Sequence, residues 1–114
     1  MPSHHIVLGR KGEDRAANWY IERGYTVLER NWRCARGEID LLCTLGGVLV
    51  ACEVKARSTD AHGTPFEAVS RAKQLRLRRL VSAYLRQGEA HYDVVRFDVA
   101  SLLGQNLQVM EGAF

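Results

Sequence analysis

Two apolar runs of strand length meet at Gly46-Gly47 within GEIDLLCTLGGVLVACEVKAR, residues 37–57, and this pattern predicts a β-hairpin. Read with period two, Ile39, Leu41, Cys43 and Leu45 share one face, with Glu38, Asp40, Leu42 and Thr44 on the other. In the second run Val48, Val50, Cys52, Val54 and Ala56 sort together. They leave Leu49, Ala51, Glu53, Lys55 and Arg57 on the opposite side. The charges thus collect on one face of the hairpin, and Leu42, Leu49 and Ala51 on that same face predict that it is covered rather than open to water.

The flanking pattern supplies the other elements. Gly9 to Gly24 reads as a helix with Ala16, Ala17, Tyr20 and Ile21 on one face and Gly24 as its stop. Tyr25 to Arg30 alternates as a short strand, and Asn31 to Gly37 is a polar connection in which Trp32 is expected to pack. After a polar loop, 58–63, the run Thr64-Pro65-Phe66-Glu67 forms a capping box with proline at the first helical position. The helix it starts should reach Gln87, with Phe66, Val69, Leu77, Leu80, Val81 and Tyr84 as its buried stripe. His91 to Ala100 and Leu107 to Met110 read as two closing strands. The order α-β-β-β-α-β-β, with one helix-length crossover for a parallel pair, predicts an α/β fold with a central mixed sheet flanked by helices. Residues 1–8 carry no usable pattern and are expected to be a mobile N-terminus, leaving 9–114 as a single domain.

Composition narrows the function classes. The chain has 114 residues, enough for one core, and no apolar run approaches the roughly 18 residues of a membrane span. The N-terminus MPSHHIVLGRKG lacks a signal-peptide core, so a cytoplasmic protein without membrane association is expected. Cys34, Cys43 and Cys52 lack C-x-x-C spacing and are expected to be reduced; His4, His5, His62 and His91 are scattered without ligand spacing, which argues against zinc. The net charge of +3 is only mildly basic, but 13 of 16 cations are arginine, the side chain best suited to phosphate.

The chemistry sits on the hairpin. If Gly46 and Gly47 are the central turn residues, Leu45 pairs with Val48 and Asp40 stands opposite Glu53. Opposed carboxylates at cross-strand distance repel by roughly 3 kcal/mol at an effective dielectric of ~20, so a bound cation, a shared proton or a neighbouring ammonium such as Lys55 must compensate. A hard divalent ion, Mg²⁺ or Mn²⁺, suits oxygen ligands of this kind. Glu13 falls on the apolar face of the first helix, where a carboxylate needs a partner: a backbone donor, an arginine or the metal centre. Arg33, Arg36 and Arg57 flank the charged face, and Arg71, Arg78, Arg79 and Arg86 form a basic side of the second helix. Lys73 lies inside that helix's apolar arc, with Gln74 at the arc's edge; snorkelling accounts for the lysine without any functional role.

Asp40 followed by Glu53-Val54-Lys55 resembles the PD-(D/E)XK signature of restriction-endonuclease-like nucleases, with Ile39 in place of the proline. The flanks GRKGEDRAANWYIERGYTVLERNWRCARGEIDLL, VACEVKARS, AVSRAKQLRLRRL and VRFDVA with a terminal GAF are similar to the small bacterial YraN family of that superfamily, over about Gly9 to Phe114. The resemblance implies a restriction-endonuclease-like core and a catalytic set of Glu13, Asp40, Glu53, Lys55 and Gln74. It also implies Mg²⁺ or Mn²⁺ held by Asp40, Glu53, Glu13 and the Val54 carbonyl, with Lys73 and Gln74 leaning toward the acids. The expected activity is metal-dependent hydrolysis of phosphodiester bonds, in DNA rather than RNA. Arg33, Arg36, Arg57, Arg71, Lys73 and Arg78 are the expected nucleic-acid contacts. The rival reading is a non-catalytic nucleic-acid binder or adaptor that keeps the fold, and a homodimer or larger complex is compatible with either.

Overall fold

The computed structural model describes residues 4–57 and 69–114, with the side chains of 11–56 and 69–114. Helix α1, His4–Glu22, is followed by strands β1, Thr26–Cys34, β2, Gly37–Leu45, and β3, Val48–Arg57. Helix α2, Arg71–Gln87, then leads to β4, Val94–Leu103, and β5, Asn106–Met110. These five strands form one mixed sheet in the order β1-β2-β3-β4-β5. Among them β3 and β4 run parallel, and α2 lies in the crossover between the two. This is the α-β-β-β-α-β-β order and mixed central sheet expected from the pattern.

Each helix covers one face. On the first, Ala16, Ala17 and Tyr20 of α1 pack against Leu41, Cys43, Val50, Cys52 and Ala100. On the second, Leu77, Leu80 and Val81 of α2 pack against Ile39, Leu42, Leu49, Ala51 and Phe97. A Cβ on Gly12 would come within 3.2 Å of the Ala56 Cβ and 3.5 Å of Val54, so the missing side chain lets α1 lie close to β3 and brings Glu13 to the sheet.

The hairpin register is the expected one, with Leu45 opposite Val48 and Leu41 opposite Cys52. Gly46 has φ +59°, the sign that the first central position of a II′ turn requires. Other boundaries differ from the sequence reading. Helix α1 begins at His4, inside the segment expected to be a mobile N-terminus. Strand β1 continues to Cys34, so Trp32 to Cys34, read as part of a connection, is paired with β2. The last long strand begins at Val94 rather than His91 and runs on to Leu103.

The start of α2 is also displaced. Ser70 is its N-cap, with extended φ and ψ of −66° and 160° and a side chain accepting from the Lys73 N–H at 3.2 Å. The Thr64-Pro65-Phe66-Glu67 box lies outside the described residues. Whatever it does, the helix carrying Leu77 and Leu80 has its own cap six residues downstream of Thr64.

One departure bears on the site. Period two would put Ile39 beside Leu41, yet Ile39 packs on the α2 side and Leu41 on the α1 side. Strand β1 reverses at the same level. Arg30 reaches Asp14 on α1, whereas Trp32 packs edge-on against Tyr84 of α2 at 5.4 Å. Between Arg30 and Trp32 stands Asn31 with φ +53°, and between their partners Leu41 and Ile39 stands Asp40. A left-handed residue within a strand rotates the chain beyond it, and here the alternation of both strands changes sides at Asn31 and Asp40.

Candidate metal centre and active site

The site lies where β2 and β3 part. Their ladder runs from the turn to Leu41 and Cys52; beyond it, the Asp40 Oδ2 accepts a hydrogen bond from the Val54 N–H at 2.8 Å. A side-chain oxygen thus occupies the place of a ladder partner, and Asp40 is held in the gap between the two strands. Glu53 stands on the adjacent strand and lines a cleft of about 210 Å³ with Glu38, Asp40, Lys73, Arg76, Leu77 and Leu80. Helix α1 adds Glu13 from the other side. One carboxylate oxygen each from Glu13, Glu38 and Asp40 lies within 4.8 Å of the others.

Electrostatically the cluster is strained. Burial pushes the Asp40 carboxyl up, the charge of Glu53 adds to this, and the Val54 N–H pulls the other way. Glu13 and Glu38 contribute further repulsion, and the result is a pKa of about 7. Three oxygen donors within 4.8 Å, a fourth carboxylate beside them and a carboxyl that resists ionisation fit a hard divalent cation. Imidazole and thiolate donors are absent from the cluster, and Cys43 and Cys52 lie buried, with the Cys43 thiol pushed up to about 12.

The expected residues divide. Asp40 and Glu13 bring carboxylate oxygens within 4.8 Å of each other, and Glu53 stands beside Asp40 in the cleft, although the β2–β3 ladder ends at Leu41 and Cys52 and does not set Asp40 directly opposite Glu53. Glu38 joins them. The sequence pattern sorts it onto the charged face of the hairpin without assigning it to the site; two positions before Asp40, it is one strand repeat away, which is the signal that could have found it. Arg33 bonds Glu38 through Nε at 3.1 Å, so this arginine orients a site carboxylate. Lys55 follows Glu53 by two positions on β3 and is half-buried.

Among the helix residues, Lys73 lines the cleft, with Arg76 beside it, a cation the sequence reading leaves out. The Gln74 amide, in contrast, donates to the Val69 carbonyl at 3.2 Å and so braces the start of α2. Arg71 is exposed at that helix end, and Arg36 is exposed in the turn between β1 and β2. Arg78 lies over the stacked Phe97 and Phe114 rings, 4.5 Å and 5.7 Å from their centroids. The Arg57 side chain lies outside the described residues.

The sequence model of the Uncharacterised protein family UPF0102 matches residues 12–102, a span that contains every carboxylate of the cluster. A UPF0102 protein of Rhodococcus opacus (strain B4) is 44% identical over 101 residues, covering 89% of this chain and 86% of that protein. One of Clavibacter michiganensis subsp. michiganensis (strain NCPPB 382) is 49% identical over 96 residues, 84% of this chain and 81% of that protein. One of Acidothermus cellulolyticus (strain ATCC 43068 / DSM 8971 / 11B) is 40% identical over 123 residues, 95% of this chain and 93% of that protein. The chain belongs to the UPF0102 family, the group to which the YraN resemblance pointed.

Proposed function

We propose that this member of the UPF0102 family is a metal-dependent nuclease that hydrolyses phosphodiester bonds of nucleic acid, with DNA the expected polymer. The observation that carries the reading is Asp40 wedged into the gap between β2 and β3, with Glu53, Glu38 and Glu13 around it and its ionisation opposed. These acids face one another beside a cleft whose other wall carries Lys73 and Arg76. Negative charge that favours a cation, next to positive charge that favours a phosphate, is the juxtaposition a phosphodiester substrate requires.

Asp40, Glu53, Glu38 and Glu13 would hold Mg²⁺ or Mn²⁺, with the Val54 carbonyl as a further oxygen donor. When bound, such an ion supplies charge neutralisation at the phosphate and a water acidified toward neutrality. Lys55 contributes a positive charge on the strand of Glu53, where it stabilises charge developing on the phosphate oxygens. Lys73 and Arg76 hold the backbone across the cleft, and Arg33 keeps Glu38 turned toward the acids.

The test is a cleavage panel with Mg²⁺ and Mn²⁺ over duplex, single-stranded and branched DNA and over RNA, run on the parent, Asp40→Asn and Lys55→Ala. Cleavage is expected in the parent and should fall by two or more orders of magnitude in both variants, on the order of a lost transition-state contact. Asp40→Asn should keep or gain nucleic-acid affinity, because a charge repelling phosphate has gone. Binding without cleavage in the parent would favour an adaptor that retains the fold. Absence of cleavage, binding and metal-dependent stabilisation together would remove the catalytic assignment.

A further inference from the structure

We infer that Asn31 is a positioning residue that turns Glu13 into the metal cluster, an inference that rests on the metal-dependent reading above. The Asn31 Nδ2 donates to the Glu13 Oε2 at 2.8 Å, and both groups are half-buried. Glu13 reaches the site from α1, whereas Asp40 and Glu38 reach it from β2, so the cluster depends on a contact that ties helix to sheet. Asn31 provides that tie from β1, at the level of Asp40.

Its backbone explains why asparagine stands there. At φ +53° the residue occupies the left-handed region, which most side chains avoid and asparagine tolerates. This conformation coincides with the point at which β1 changes sides between Arg30 and Trp32, and the Asn31 amide is there directed at α1. The chemistry of the donor matters as much as its place. A neutral amide fixes one oxygen of Glu13 and leaves the carboxylate charge available. Partners of metal-ligating carboxylates that act in this way typically change metal affinity by about 10–100-fold when removed.

A double-mutant cycle tests the coupling, with Mn²⁺ binding read from the electron paramagnetic resonance signal of the free ion. Asn31→Gly keeps access to the left-handed backbone and deletes the amide. It should weaken Mn²⁺ binding about 10–100-fold and should have no further effect in a Glu13→Ala background. Equal Mn²⁺ affinity in the parent and Asn31→Gly, or an undiminished effect of Asn31→Gly without Glu13, would overturn the inference. A metal-free crystal structure of Asn31→Gly gives a second readout. Glu13 should turn away from Asp40 and Glu38; a carboxylate still in place would overturn the positioning role. A parent that binds no Mn²⁺ at millimolar concentration would overturn the metal reading, while the metal-free structure still decides whether Asn31 holds Glu13.

Discussion

Two aspartates of this sheet are drawn in from the surface, and they are treated in opposite ways. Asp98 on β4 is fully buried and accepts four hydrogen bonds. The Tyr20 hydroxyl donates at 2.6 Å, Arg96 donates through both Nε and Nη2 at 2.9 Å, and the Gly112 N–H donates at 2.9 Å. Its charge is matched inside the fold. The bidentate pair holds the Arg96 guanidinium well above its usual range, and burial together with Cys52 and Asp98 raises the Tyr20 hydroxyl. Asp40 on β2, half-buried, accepts from the Val54 N–H and faces three carboxylates. One aspartate ties α1, β4 and the C-terminal turn together, and the other is held among like charges that oppose its ionisation. Burial alone does not mark a site; what marks it is the sign of the neighbours.

The sharpest way to break this comparison is Asp98→Ala. It strands Arg96 and the Tyr20 hydroxyl, and removal of one partner from a buried pair costs about 3–5 kcal/mol. Urea unfolding should show that loss, whereas Asp40→Asn in metal-free buffer should leave the midpoint unchanged or higher. Equal losses in the two variants would make Asp40 a second structural anchor.

A smaller effect is expected in the pH dependence. Unfolded Asp40 ionises near its ordinary value of 3.8, and in the fold it keeps its proton up to about 7. Between these values the folded state binds the extra proton, so this group's contribution favours folding at the acid end and is lost as pH rises toward 7. The stability of the parent relative to Asp40→Asn should therefore fall by on the order of a few kcal/mol across that window. Saturating Mn²⁺ should restore the parent at pH 7 through binding linkage and act much less on the variant. A flat difference curve would contradict the proposed electrostatics.

The smallest effects concern the basic rim. Charge reversal at Lys73 or Arg76 should weaken nucleic-acid binding for all sequences alike and lower the salt slope by about one per lost phosphate contact. Arg33→Ala should change stability by only about 0–1 kcal/mol, since the arginine of its pair with Glu38 is largely exposed. Its effect should instead appear in metal affinity. A purely structural rim would leave the salt slope untouched.

The hairpin explains why so much of the site is legible in the sequence. A two-residue glycine turn between period-two runs fixes the pairing from Leu45 with Val48 to Leu41 with Cys52, and so sets Asp40 and Glu53 on neighbouring strands just past the end of that ladder. Glu13 is legible as an acid out of place on an apolar face, but its partner is not, because the Asn31 contact joins elements 18 residues apart. The side change at Ile39 is invisible to periodicity, since it accompanies one left-handed asparagine on the neighbouring strand. The start of α2 is misplaced for a different reason: the Thr64-Pro65 sequence fits a local capping rule, and nothing in that rule says that the helix carrying Leu77 and Leu80 is capped by Ser70. Gln74 is drawn toward the acids by family pattern, while its amide answers to the nearby carbonyl of Val69.

The parallel pairing of β3 with β4 has a consequence for the order in which the chain folds. The β2–β3 hairpin closes through a two-residue turn, an event of roughly microseconds, and places Asp40 and Glu53 on neighbouring strands at once. Val48 meets Val94 only after the whole crossover bearing α2 has closed, a non-local step that is intrinsically slower. The like charges of the centre are therefore expected to be adjacent before β4 and α2 arrive to cover them, while water still screens their repulsion. If the proposed centre binds a cation, one present at that early stage would find two carboxylates already on neighbouring strands, so Mn²⁺ is expected to speed refolding as well as slow unfolding.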